Sequence, residues 1–131
     1  MSLIKSKERV DNLGEVFTPE NIVSHMLQKI PKEYWETDKT FLEPTCGTGN
    51  FLVEILKKKV KHGNTVLDSL KTIYGIDIME DNVIESRKRL FKVANDLGLE
   101  QDTWNEAIKI IKQNIICGNI SELDLETCFN E

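Results

Sequence analysis

The segment that decides the fold is FLEPTCGTGNFL, residues 41–52. A short apolar stretch stops at Pro44, a Gly-x-Gly turn follows, and a helical pattern begins at Asn50. A strand that leads through a glycine turn into a helix is typical of open α/β sheets, in which ligands lie at the carboxyl ends of the strands. Glycines at positions 47 and 49 would let a ligand approach the backbone closely. The segment therefore predicts a strand over 40–43 and a helix over 50–61.

A dinucleotide is the least favoured ligand for this turn. The fingerprint of NAD-binding proteins requires a third glycine three residues after the second one. That position is Leu52 here, so an oxidoreductase is the weakest interpretation of the segment.

Outside the turn, helical and strand patterns alternate along the chain. Such alternation predicts an α/β domain with a parallel sheet. The further predicted elements are a helix that Thr18 caps and Pro31 ends, a short helix around 66–70, a strand over 73–78, a helix over 81–97, a helix capped by Asp102, a strand over 114–117 and a last helical turn opening near Ser121.

Composition limits the class of protein. The chain has 131 residues, is 40% hydrophobic and 30% charged, and carries a net charge of −5. These values are far from those of disordered chains, and a domain that gripped DNA by itself would usually be basic. No apolar run is long enough to span a membrane, and no signal peptide is visible. The three cysteines have no CxxC spacing, which predicts neither a zinc site nor a disulfide framework, so we expect a reduced, cytoplasmic protein.

Two carboxylates are expected at neighbouring strand ends. Glu43 ends the first predicted strand and suits a ligand with an ammonium group, whereas Asp77 in the second can accept the hydroxyls of a ribose. Together they describe S-adenosylmethionine. Each alone has a plainer explanation, since a Gly-x-Gly is often only a turn and an aspartate at a strand end is often a helix cap. The order and spacing of the set carry the prediction.

Four segments resemble those of gamma-class N6-adenine-specific DNA methyltransferases. They are GEVFTP at 14–19, LEPTCGTGNFL at 42–52, YGIDI at 74–78 and ICGN at 116–119. The resemblance implies a Rossmann-like S-adenosylmethionine-dependent methyltransferase fold, α/β with a partial parallel sheet and flanking helices. It divides the chain into a polar segment over 1–13 and a partial cofactor-binding domain over 14–131.

The resemblance also implies a role for each matching residue. Thr18 would hold the methionine carboxylate, Glu43 the methionine ammonium and Asp77 the ribose. Ile78 would pack on the adenine ring, and Asn119 would contact the adenine amino group, at a position where the family more often has Asp. The remaining cofactor-binding positions that it implies are Pro44, Thr45, Cys46, Gly47, Gly49 and Asn50.

No catalytic residue is expected in this chain. The family places an Asn-Pro-Pro-aromatic loop after the fourth strand to bind the flipped adenine, but Pro19, Pro31 and Pro44 are all isolated. The resemblance thus implies the cofactor-binding portion of an adenine-N6 DNA methyltransferase of a restriction-modification system, inactive alone. DNA would be bound by parts beyond Glu131. The first strand would have an unpaired edge, for which we expect either self-association or a disordered rim.

Two alternatives remain open. In the first, the chain is a non-catalytic cofactor-binding subunit or remnant. In the second, it belongs to a methyltransferase for a substrate other than DNA. Other residues have plain interpretations. Cys46 is expected to fill space, His25 and His62 to lie at the surface, the tryptophans to pack, and the lysines at 57–61 to form a solvated face.

Overall fold

Three short parallel strands form the sheet, and helices connect them. The computed structural model describes residues 20–36 and 39–129. The strands are β1 (Phe41–Glu43), β2 (Ile73–Asp77) and β3 (Ile115–Cys117). The helices are α1 (Glu20–Leu27), α2 (Asn50–Lys61), α3 (Val66–Leu70), α4 (Glu80–Asp96), α5 (Trp104–Asn114) and α6 (Leu125–Cys128), with 3-10 turns at Lys32–Trp35 and Gln101–Thr103.

The strands follow the order β1-β2-β3, and both pairs are parallel. Glu43 pairs with Gly75, and Asp77 pairs with Cys117, so the carboxyl ends of all three strands meet at one edge. Within the described ranges β1 pairs with β2 alone. The predicted α/β class with a parallel sheet is confirmed.

The core lies between the sheet and the two helices that follow β1 and β2. Right-handed crossovers that advance in one direction place successive helices on the same face, and α2 and α4 indeed pack against each other and against β2. Leu52, Leu56, Ile73, Leu90 and Ile115 are each no more than 1% exposed. This packing fixes the turn between β1 and α2 over the end of β2.

Several predicted element boundaries are wrong. The strands begin or end one residue inside the predicted bounds 40–43, 73–78 and 114–117, and α4 spans 80–96 rather than 81–97. Three helix ends also differ. Helix α1 ends at Leu27, because the carbonyls of Met26 and Leu27 accept hydrogen bonds from residues three positions later, which tightens and ends the helix before Pro31. Asp102 caps no helix and lies in a 3-10 turn instead. The last helix begins at Leu125 rather than near Ser121.

The expected solvated lysine face is also wrong at one position. Lys59 is fully buried, and its Nζ donates hydrogen bonds to the carbonyl of Lys39 at 2.5 Å and to Thr72 Oγ1 at 2.6 Å. Position 59 follows the buried Ile55 and Leu56 by four and three residues, which places it on the same helix face. Sequence periodicity therefore assigns it to the core.

The predictions for the histidines are confirmed, and those for the tryptophans are confirmed in part. His25 and His62 are exposed, and Trp35 is buried against Phe41, as expected. Trp104 packs edge-on against Phe91 but remains 37% exposed. Among the helices that the structure describes, none has the length and apolar character needed to cross a membrane.

Candidate functional site

The glycine turn is tied to the end of β2 by backbone and side-chain hydrogen bonds. The N–H of Cys46 donates to the carbonyl of Ile76 at 2.7 Å, and the N–H of Gly49 donates to the carbonyl of Cys46 at 2.9 Å. Gly47 and Gly49 have φ angles of 55° and 92°. The second value lies where residues other than glycine are strained. The turn therefore depends on glycine at position 49.

Asp77 joins the turn to the following helix. Its Oδ2 accepts the backbone N–H of Gly47 at 2.9 Å, and its Oδ1 accepts the N–H of Met79 at 2.8 Å and Nδ2 of Asn82 at 3.2 Å. Asp77 is only 7% exposed. Asp77, the residue predicted to bind the ribose, therefore also links the turn after β1 to the end of β2 and the start of α4.

Glu43 lies at the end of the neighbouring strand. It is in register with Gly75, two residues before Asp77, which separates the two acids by about 7 Å along the strand direction. Burial raises the pKa of Glu43, although a 3.3 Å hydrogen bond from the N–H of Thr45 to its Oε1 partly offsets this. Pro44 and Thr45, the next predicted site residues, are exposed.

Cys46 is the buried member of the turn. Its Sγ lies 3.8 Å from Ser86 Oγ, and burial raises the pKa of its thiol to about 12. A thiol with so high a pKa is almost entirely protonated at neutral pH and is a poor nucleophile. The expectation that Cys46 fills space agrees with this geometry.

Three side chains of α4 hold the turn, and sequence reasoning missed them. Asn82 donates to Asp77, Ser86 Oγ donates to the carbonyl of Gly47 at 2.7 Å, and Arg89 Nη1 donates to the carbonyl of Thr48 at 2.8 Å. Their spacing of four and three residues places them on one helix face. Asn82 and Ser86 are buried. Polar residues at core positions of an amphipathic helix were the sequence signal that could have identified them as contacts of the turn.

The ends of β2 and β3 bring further predicted residues to the same edge. Ile78 is 50% exposed just beyond Asp77, and the carbonyl of Asp77 accepts the N–H of Gly118 at 2.9 Å. Asn119 follows directly, and its Oδ1 accepts the N–H of Ser121 at 3.0 Å and Ser121 Oγ at 2.7 Å. The oxygen with which Asn119 was expected to bind adenine is thus already hydrogen-bonded within its own turn.

Thr18 lies outside the described residues. The other predicted positions are all at the sheet edge: Glu43 and the turn after it, Asp77 at the end of β2 and Ile78 just beyond it, and Asn119 after β3. Asn50 begins α2 and is buried, with its Oδ1 accepting from Arg89 at 2.7 Å. No group of three or more His, Cys, Asp or Glu side chains within 20–36 and 39–129 is placed to hold a metal.

Comparisons with known proteins agree with the motifs. A family model described as N-6 DNA Methylase matches residues 4–90, more than half of the chain. The type II methyltransferase M.VspI from Vibrio sp. (strain 343) is 40% identical over 77 residues, which are 59% of this chain and 16% of that protein. The chain therefore spans about one sixth of the length of the curated relative it matches. No solved structure matches significantly.

Proposed function

The chain belongs to the N-6 DNA methylase family, and from this premise we propose that it is the S-adenosylmethionine-binding portion of an adenine-N6 DNA methyltransferase. The observation that carries the proposal is the hydrogen bond between Gly47 and Asp77, which joins the glycine turn to the acid at the end of β2. Glu43 ends the adjacent strand. Ligands of open parallel sheets bind at this edge.

The acid at each strand end has a distinct role in the proposal. Glu43 pairs with the methionine ammonium, an interaction that favours the carboxylate and offsets the cost of its burial. Asp77 binds the ribose. A carboxylate has about four acceptor positions, and donors among the described residues occupy three of them in Asp77. Asp77 therefore accepts one ribose hydroxyl directly, rather than both.

The other contacts follow the sheet edge. The exposed side chain of Ile78 packs on the adenine ring, and the backbone at Gly47 and Gly49 contacts the cofactor. Pro44, Thr45, Cys46 and Asn50 shape the turn, whereas Thr18 would bind the carboxylate. Because Oδ1 of Asn119 is engaged by Ser121, we assign the adenine contact of Asn119 to its Nδ2, a donor that suits a ring nitrogen.

The proposal includes the finer class of the fold. A Rossmann-like S-adenosylmethionine-dependent methyltransferase domain is supported by the parallel order β1-β2-β3 and by the glycine turn after β1. The second side of β1 is open within the described ranges, and an edge strand with unpaired backbone groups associates readily. Self-association through this edge would make the apparent mass depend on concentration in analytical ultracentrifugation. A monomer at every concentration would contradict it.

Methyl transfer to DNA is assigned to the whole protein and not to this chain alone. The 131 residues contain no Asn-Pro-Pro-aromatic segment, so nothing in them accepts the hydrogens of a flipped adenine in the family's manner. The matching family model is described as N-6 DNA Methylase, which supports DNA as the substrate, and the Vibrio relative is named a type II methyltransferase. As the setting we propose a cytoplasmic restriction-modification system. With labelled S-adenosylmethionine and DNA, the chain alone should give no labelled DNA.

Calorimetry with S-adenosylmethionine tests the cofactor site. We expect saturable binding with one ligand per chain and no binding of NAD. Glu43→Gln should weaken binding by about tenfold or more, because a hydrogen bond to a charged group contributes about 1.5–3 kcal/mol. Glu85→Gln, which changes an exposed carboxylate on α4, is the control. Absence of binding by the unaltered chain would overturn the proposal.

A further inference from the structure

Arg89 bridges the two sides of the glycine turn. Its Nη1 donates to the carbonyl of Thr48 at 2.8 Å and to Asn50 Oδ1 at 2.7 Å, so one guanidinium nitrogen holds the residues on both sides of Gly49. Hydrogen bonds from an ionised donor are stronger than those between neutral groups. Helix α4 therefore fixes the turn at its most conformationally free residue.

A second, independent contact from the same helix holds the preceding peptide. Ser86 Oγ donates to the carbonyl of Gly47, and Arg89 to the carbonyl of Thr48. In a trans peptide the carbonyl and the following N–H point in opposite directions. With both carbonyls turned toward α4, the N–H groups of Thr48 and Gly49 are directed away from it.

We infer that Arg89 is a positioning residue, which holds the glycine turn in the conformation that binds the cofactor. The inference rests on the proposed function and extends it to a residue that touches no ligand. Without the guanidinium, the carbonyl of Thr48 and the side chain of Asn50 lose a common donor. The turn then has to be ordered by the cofactor itself, at the expense of affinity.

Helix α4 offers a matched control. Arg87 is also half-buried and also donates to main-chain carbonyls, with its Nε 2.8 Å from that of Ile115 and its Nη2 3.2 Å from that of Lys112. These acceptors lie at the start of β3 and the end of α5, on the other side of β2 from β1 and its turn. Arg89→Met and Arg87→Met therefore remove similar interactions from different places.

The first measurement is S-adenosylmethionine affinity, corrected for the folded fraction of each variant. We expect Arg89→Met to weaken binding about tenfold, Arg89→Lys to restore part of the affinity through its ammonium donors, and Arg87→Met to change it by less than about twofold. If both methionine variants lose affinity equally, or if Arg89→Met binds as tightly as the unaltered chain, the inference is overturned.

The second measurement needs no ligand. Amide hydrogen exchange should become faster at residues 47–50 in Arg89→Met and around residues 112–116 in Arg87→Met. Unchanged exchange at 47–50 in Arg89→Met would overturn the inference even if S-adenosylmethionine binds. If the unaltered chain binds no S-adenosylmethionine while Arg89→Met still exchanges faster at 47–50, the proposed cofactor site and the ligand part of this inference are overturned. That result would leave the hydrogen bonds of Arg89 to the turn as the support of its conformation.

Discussion

Ser86 occupies the space beside Gly49 in which a β-carbon would lie. Its Oγ is 3.2 Å, and its Cα and Cβ are 3.3 Å, from the position of such a carbon. Gly49 also has a φ of 92°. Glycine is required here for two separate reasons, the backbone conformation and the close approach of α4.

Gly49→Ala should lower the free energy of unfolding by about 1–3 kcal/mol, because it combines left-handed backbone strain with displacement of Ser86. Urea denaturation measures this loss. Gly63→Ala is the control, since Gly63 has a φ of 96° but nothing within 4 Å of its missing β-carbon. The control should cost less and leave S-adenosylmethionine affinity unchanged, whereas Gly49→Ala should weaken binding. Equal losses of stability in both variants would show that the contact with Ser86 contributes nothing to the cost of Gly49→Ala.

The fold around the turn could be predicted because local signals agree there. Helix α2 has the predicted bounds, since the glycine turn sets its beginning and Gly63 follows its end. The acid of β2 reaches Gly47 because parallel strands bring their carboxyl ends to one edge. Periodicity and topology together were enough to place Glu43, Asp77 and Ile78 at that edge.

The support from α4 could not be predicted by the same means. Periodicity can mark Asn82 and Ser86 as polar residues on the buried face of α4, but only the packing of α4 over the turn shows that Ser86 and Arg89 donate to its carbonyls. The errors at Asp102 and Ser121 have another cause, which is that short polar side chains serve turns as readily as helix caps. Oδ1 of Asn119 accepts from Ser121 and stabilises such a turn.

Removal of the buried lysine should destabilise the chain. Lys59→Ala leaves a cavity and two acceptors without their donor, at Lys39 and Thr72. We expect a loss of about 2–4 kcal/mol in the free energy of unfolding. Lys61→Ala, at the exposed end of the same helix, should change it by less than about 0.5 kcal/mol. Similar urea midpoints for the two variants would contradict the burial of Lys59.

The three cysteines should differ in reactivity toward a thiol reagent. Cys117 is exposed, Cys128 is half-buried, and Cys46 is buried with the pKa of its thiol raised to about 12. Cys117 should react first in the native chain, and Cys46 only after unfolding. Peptide mapping of labelled chain and loss of the fast phase in Cys117→Ser check this order.

Cofactor binding should slow the labelling of Cys117 in particular. Its Sγ lies 3.5 Å from the carbonyl of Ile78, the residue proposed to pack on adenine. Cys128, in α6, serves as the internal control, because its labelling rate should not change when S-adenosylmethionine is added. Equal protection of both thiols would indicate general stabilisation rather than a ligand beside Ile78.

Glu43→Gln should stabilise the unliganded chain at neutral pH while it weakens cofactor binding. Burial raises the pKa of Glu43, so the ionised carboxylate costs folding free energy. That cost is absent below the ordinary value of 4.5 and is fully present above the raised value. Urea midpoints of the variant should therefore exceed those of the unaltered chain at about pH 7 and approach them at about pH 4. Glu85→Gln should show no such pH-dependent gain.

The affinity for S-adenosylmethionine should have the opposite pH dependence. An ammonium group binds a carboxylate more strongly than a neutral carboxylic acid, so affinity in the unaltered chain should fall as the pH is lowered through the pKa of Glu43. Because that pKa is raised, the fall should begin at a higher pH than for an ordinary glutamate. Calorimetry across this range should give a weak and nearly constant affinity for Glu43→Gln. If the variant instead loses affinity on acidification as steeply as the unaltered chain, another group binds the ammonium, and Glu43 is not its partner.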